Sequence, residues 1–403
     1  MPLIVRNGMS GLVKLIASLK KKYEGGNLEL VSTDGIATYV AGAKLTDTKM
    51  CIAFSDETTK NLYAAIVDTS GGYISCGTPV LIANHGTYSQ TVSMIATEVE
   101  RLNDNAAIIV YSQNEGGIAY RYAVSIFISG KLITVGNSVK ASSKAFNNVS
   151  IITDLTNLED NKVLMIYTNN SPNTDSLTAR IITLSGSELL FGTETVLNTA
   201  TLSGEFPRVD KVSSTVVFVA AGCNNYNPKG YEPHYYKLTI SGDEISSSNI
   251  FSAKQKDSTG DSGYQMVYAI DESTYIGLTV AGSGSSKSFR CVLRSLTSQL
   301  AYFKMPKIFS THDRYAPIHM VKKSDTEVDM IYISENGVIM KIPITYTSSS
   351  LTAGTAVEVE SSLAIHGYWY RFVADYVSDF PLITIVADAN GHVVCSAQLP
   401  ETT

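Results

Sequence analysis

The sequence predicts an all-β protein, a seven-bladed β-propeller built of four-stranded antiparallel blades. Three observations carry this expectation. A short apolar run recurs seven times, a glycine-containing hairpin signal recurs behind it, and a stray strand pattern near the N-terminus supplies what the last repeat lacks.

The apolar runs are CIAF at 51, IIVY at 108, LMIY at 164, VVFV at 216, YIGL at 275, DMIY at 329 and LITI at 382. Successive starts differ by 57, 56, 52, 59, 54 and 53 residues, so the unit is close to 55 residues long. Each unit has an alternating segment such as VSMIATEV, the apolar run, a second alternating segment such as YRYAVSIFISG, and then a hairpin into LITVGNSV. Four strands with tight connections fill that length, which is the pattern of a propeller blade. The run is continuous rather than alternating because an inner strand packed between two neighbouring blades is buried on both faces.

The hairpin signal is GGYISCG from Gly71, SGKLITVG from Ser129, SGSELLFG from Ser185 and SGDEISSS from Ser241. Glycine supplies the positive φ that a two-residue hairpin loop demands. After LITIVADANGHVVCSAQL the chain stops one strand short of a full blade. The orphan GGNLELVSTDG, Gly25 to Gly35, places Leu28 and Leu30 in alternation and has the form of that missing strand. A ring closed in this way leaves no long exposed edge. The expected organisation is an arm at 1–26, a closing strand at 27–35, and blades near 36–84, 85–142, 143–200, 201–257, 258–309, 310–361 and 362–403.

Within the arm, Leu12, Leu15, Ile16 and Leu19 recur at helical spacing between Ser10 and Lys20–Lys22. That predicts one short amphipathic helix with a serine N-cap and lysines at the negative end of its dipole. It suits a cover for the propeller or a docking arm.

Composition excludes several classes. Hydrophobic residues make up 44% and charged residues 17%, and Tyr 23 and Gly 29 favour strands and turns in a packed chain. With a net charge of −6 and no basic run in the bulk of the chain, no nucleic-acid surface is expected. No segment reaches the roughly 20 apolar residues of a membrane helix. Lys14 interrupts the N-terminal apolar stretch and its other lysines follow it, the wrong order for a secretory leader. Synthesis in a cytoplasm without a signal peptide is the expectation. Five cysteines lack any C-x-x-C spacing, and Cys51, Cys291 and Cys395 lie in apolar runs as buried thiols do.

Chemistry is sparse. An aromatic stands before the first strand of each unit: Tyr39, Tyr88, Phe146, Phe206, Tyr264, Tyr315, and the triplet Tyr368, Trp369, Tyr370. These wedge between blades or stack on a flat ligand such as a sugar ring. The densest polar and aromatic loops are STHDRYAP and AIHGYWYRF, with His312, Arg314, Tyr315, His366, Trp369 and Tyr370. A third outlier, GCNNYNPKGYEPHYY from Gly222 to Tyr236, reads as a long loop that adds Tyr226 and Tyr231. These eight residues form the expected binding surface. No catalytic residue, metal ligand or cofactor motif is expected: near the starts of the first strands only Asp210 and Asp375 are acidic, and the six histidines show no ligand spacing.

The phrases NKVLMIYTNN…LTARIITLSGSELLFGTETVLN and AAIIVYSQN…YRYAVSIFISGKLITVGNSV resemble the degenerate propeller repeats of bacteriophage tail and baseplate proteins. The resemblance covers the chain from about residue 27, although the fourth to sixth hairpins depart from it. It implies a non-enzymatic virion protein in several copies on the tail, meeting other tail or baseplate proteins through residues 1–26 and a host-surface glycan or protein through one propeller face. The alternative is an extracellular carbohydrate-active propeller enzyme or lectin, and a pair of carboxylates with strongly shifted ionisation at the channel mouth would favour the enzyme.

Overall fold

Every apolar run becomes the second strand of a sheet, counted from the molecular axis. The computed structural model describes residues 28–30, 37–56, 61–70, 74–84, 97–115, 118–142, 153–171, 174–198, 204–226, 229–252, 266–281, 288–305, 318–334, 338–360, 372–377, 380–387 and 393–398. Among the described residues there is no helix, and the strands form seven antiparallel sheets of four or five strands. The expected N-terminal helix lies outside the described residues.

The first strand in the chain, β1 (Leu28–Leu30), belongs to the last sheet. The first sheet contains β2 (Ala37–Thr46), β3 (Lys49–Asp56), β4 (Asn61–Asp68), β5 (Ser75–Cys76) and β6 (Val80–Asn84). The second contains β7 (Glu98–Asn103), β8 (Ala106–Glu115), β9 (Ile118–Ser129) and β10 (Leu132–Lys140). The third contains β11 (Thr153–Glu159), β12 (Lys162–Ser171), β13 (Thr174–Ser185), β14 (Glu188–Phe191) and β15 (Thr195–Asn198). The fourth contains β16 (Gly204–Lys211), β17 (Val216–Tyr226), β18 (Lys229–Ser241) and β19 (Glu244–Ser252). The fifth contains β20 (Met266–Asp271), β21 (Thr274–Ala281), β22 (Ser288–Ser295) and β23 (Gln299–Lys304). The sixth contains β24 (Ile318–Lys322), β25 (Glu327–Ile333), β26 (Ile339–Tyr346), β27 (Leu351–Ala353) and β28 (Val357–Glu360). The last joins β29 (Phe372–Val377), β30 (Phe380–Ala387) and β31 (Val393–Gln398) to β1, with Leu28 opposite Ser396 and Leu30 opposite Val394.

The core lies between the sheets, and the run CIAF shows why it is continuously apolar. Met50, Ile52 and Phe54 pack with Val40 and with Cys395 of the last sheet, which joins the two ends of the chain. The intervening Cys51 and Ala53 point the other way, against Ile109 and Tyr111 of the second sheet. Likewise Val163, Met165 and Tyr167 pack toward the second sheet, whereas Leu164 and Ile166 pack toward the fourth. Alternating side chains on one strand thus enter two different interfaces, each contributing about 1.5–3 kcal/mol per fully buried aliphatic residue. Outer strands obey the opposite rule, and β10 is exposed along most of its length.

Cys51, Cys291 and Cys395 are fully buried, and none of the three is in a disulfide. Burial pushes the Cys51 thiol up to about 12. Gly130, Gly186 and Gly242, each the first loop residue of an outer hairpin, have φ of 63°, 62° and 62°.

One expectation is corrected. Gly222 to Tyr236 is not a loop: β17 and β18 stay paired from Val216–Thr239 out to Tyr226–Lys229. The Asn, Pro and Gly content resembles a loop, yet Pro233 lies opposite Gly222 and the ladder continues past both. Within it Tyr235 and Tyr236 are core residues. The described part of the innermost strand of the second sheet, Glu98–Asn103, overlaps the expected stretch Val92–Val99 at Glu98 and Val99, and 92–96 lie outside the described residues.

Gly277 in the run YIGL also has a packing cause. The ring of Tyr235 from the fourth sheet lies across it, so that a Cβ there would meet the phenol. Phe218 and Tyr235 both lie against Tyr275, with ring centroids 5.2 and 5.0 Å away, and the Tyr235 hydroxyl donates to the Leu278 carbonyl at 3.3 Å.

Candidate functional site

The seven innermost strands β2, β7, β11, β16, β20, β24 and β29 all contribute residues to one central cavity of about 540 Å³. A strand turns every second residue the same way, so short polar pairs such as Arg208 and Asp210 reach the axis together. Glu98, Glu100, Asp154, Asp210 and Asp375 line this cavity, with Lys44, Arg208, His319 and Lys322 as the basic groups and Met266, Tyr268 and Met320 as the larger apolar or aromatic ones.

The carboxylates are held by backbone. Asp154 Oδ2 accepts the Val209 N–H at 2.7 Å, and its Oδ1 lies 3.7 Å from the Arg208 guanidinium. Asp210 Oδ2 accepts the Ala269 N–H at 2.7 Å while Oδ1 accepts the Lys211 N–H at 2.9 Å. Glu100 Oε1 accepts the Arg101 N–H at 2.8 Å, and the carboxylate also receives the Asn157 N–H from the next sheet. Asp375 Oδ1 accepts the Tyr376 N–H at 2.7 Å. The Tyr376 hydroxyl donates to Asp329, which ties the last sheet to the sixth.

Burial dominates their ionisation, because a charge surrounded by protein loses hydration. It pushes Glu100 and Asp210 up to about 7, against the opposing hydrogen bonds from backbone N–H groups and the charge of Lys211. Asp154 is raised for the same reason and is pulled back by Arg208, and Asp375 is raised against Lys44. Asp154 keeps 15% of its side chain accessible, so channel water moderates the effect. The cations are largely spoken for: Lys44 lies 3.0 Å from Asp47 and Lys322 2.8 Å from Asp325.

Near neutral pH Glu100 and Asp210 thus present carboxyl groups in both forms, able to donate and to accept hydrogen bonds. The sequence reading noted only Asp210 and Asp375. It missed Glu100 and Asp154, although Glu100, Asp154 and Asp210 follow one another at 54 and 56 residues, the interval of the repeat itself. His312, Arg314, Tyr315, His366, Trp369 and Tyr370 lie outside the described residues. Tyr226 and Tyr231 sit on the backbone of the β17–β18 hairpin opposite Lys229 and Asn224, on the second and third strands of the fourth sheet. Among the described residues no three His, Cys, Asp or Glu side chains converge as a metal set.

No protein-family model and no curated protein sequence matches the chain. Solved structures do. A polysaccharide lyase described as an ulvan lyase superposes with a TM-score of 0.57 at 9% identity, over 91% of this chain and 94% of its own. The BP39L lectin of Burkholderia pseudomallei gives a TM-score of 0.57 at 9% identity, covering 91% of this chain and 96% of the lectin. A protein of unknown function from Dyadobacter fermentans gives 0.51 at 12% identity, over 92% and 97% of the two chains. At these identities the likeness establishes the fold: the chain is an all-β protein of the β-propeller type. None of these structures is described as a phage tail or baseplate component.

Proposed function

We propose that this chain is a carbohydrate-binding β-propeller of seven blades that takes a saccharide into its central channel. One observation carries the reading: a cavity of about 540 Å³ walled by at least five carboxyl groups on the innermost strands. The size is that of small-ligand pockets. Sugar hydroxyls both donate and accept hydrogen bonds, and carboxyls such as Glu100 and Asp210, which burial holds at about 7, match them in both roles. The fold likeness to a lectin and to a polysaccharide lyase supports the same ligand class. A glycan on a host surface, expected from the repeat phrases, is a ligand of this kind; the tail location itself draws no support from the similar structures.

The shifted ionisation of Glu100 and Asp210 favours a second reading, a carbohydrate-cleaving enzyme. A carboxyl group that holds its proton near pH 7 can serve as a general acid toward a glycosidic oxygen.

A glycan array followed by calorimetric titration of the best ligand tests both. Binding without release of reducing ends or of unsaturated sugar supports the lectin reading, and turnover abolished in Asp210→Asn supports the enzyme. Absence of binding to every glycan on the array contradicts both.

A further inference from the structure

We propose that Glu100, Asp154 and Asp210 form a proton-controlled latch along one arc of the ring, from β7 through β11 and β16 to β20. The inference does not depend on the saccharide reading. Three consecutive joints share one design. Glu100 on β7 receives the N–H of Asn157 on β11. Asp154 on β11 receives that of Val209 on β16, and Asp210 on β16 receives that of Ala269 on β20, both at 2.7 Å. A side chain of one innermost strand thus substitutes for the missing ladder between it and the next, since adjacent sheets share no β-pairing.

The charges that face this arc do not balance. Arg208 lies beside Asp154 at 3.7 Å. Lys211 lies between Glu100 and Asp210 in charge, but its Nζ is already bound to Asn157 Oδ1 at 3.1 Å and to the Leu158 carbonyl at 3.4 Å. Arg101 on β7 is taken by Asp104 and Asp160. Glu98 on β7 adds a fourth carboxylate to the wall, and β20 contributes only the phenol of Tyr268. Two cations therefore meet three latch carboxylates, and Asp154 acts repulsively on both Glu100 and Asp210.

With protons in place the arc is close to neutral and the joints stay dry. When the protons leave, three negative charges share one wall, and the most favourable response is to admit water at the seams. The amides of Asn157, Val209 and Ala269 then lose protection, whereas a strand remote from the arc, such as β30 of the last sheet, does not.

Amide hydrogen exchange at about pH 5.5 and about pH 8.5, corrected for intrinsic rates, tests this on the full chain. Wild type should lose roughly tenfold protection at Val209 and Ala269 relative to β30 at the higher pH. The triple variant Glu100→Gln, Asp154→Asn, Asp210→Asn keeps an oxygen acceptor at each joint without a charge and should lose none. Equal protection of wild type at both pH values, or the same loss in the triple variant, overturns the latch. If the triple variant does not fold, Asp210→Asn alone decides at Ala269, where persistence of the loss overturns it.

Discussion

The carboxylate of Asp210 and the main-chain N–H of Ala269 belong to different sheets, yet they meet at 2.7 Å across the joint between β16 and β20. This contact has a cost that varies with pH. An ordinary aspartate ionises near pH 4, whereas burial holds Asp210 up at about 7. Between those values the folded chain keeps a proton that the unfolded chain has released, so stability is full below pH ~4 and declines as pH rises through about 7. Glu100 acts in the same direction. Allowing for channel water, the decline is about 1–2 kcal/mol per group. Urea midpoints should therefore be lower at about pH 8 than at about pH 5, and Asp210→Asn should reduce the difference while raising stability at the higher pH.

Arg121 offers the opposite case, a cation sealed in the core. Its Nε donates to Thr153 Oγ1 at 2.8 Å, one terminal nitrogen donates to the Thr168 carbonyl at 2.7 Å, and the guanidinium lies 4.8 Å from the centre of the Tyr167 ring. Burial lowers its pKa to about 9. It bridges the second and third sheets, so Arg121→Ala leaves both a cavity and stranded acceptors. A loss of about 3–5 kcal/mol in chemical denaturation is expected.

The outer hairpins predict a smaller and additive effect. A Cβ on Gly130, Gly186 or Gly242 would meet nothing within 4 Å, so the only penalty of alanine is the positive φ. Each substitution should cost about 1 kcal/mol, and the triple variant about the sum because the sites lie in hairpins of three different sheets and share no contact. A triple variant as stable as wild type would show that these loops relax freely.

Ring closure can be trapped. Leu28 and Ser396 are Cα partners across β1 and β31. Oxidised Leu28→Cys, Ser396→Cys protein should form an internal disulfide and gain about 2–4 kcal/mol, reversed by reduction. If oxidation leaves the introduced cysteines at 28 and 396 as thiols, the two ends lie apart.

Much of the fold was legible because its rules act locally. Gly130, Gly186 and Gly242 stand out since few other residues tolerate their φ, and the run Met50–Phe54 stands out since both of its faces enter a core. The channel was harder to read. Glu100, Asp154 and Asp210 each stand beside one apolar residue, Val99, Leu155 and Val209, as solvent-facing residues of an ordinary strand do, and nothing local tells an inward polar face from an outward one. Only their spacing at the repeat interval carries the information. The hairpin from Gly222 to Tyr236 misled for the converse reason: composition signals a loop, but pairing depends on the partner strand.

The most direct test of the account is a crystal structure grown with the best glycan from the array. The account predicts sugar density on the axis, with hydroxyls within hydrogen-bond distance of Glu100, Asp154 or Asp210. Density confined to the outer strands or to a loop, with the channel holding only water, would contradict it.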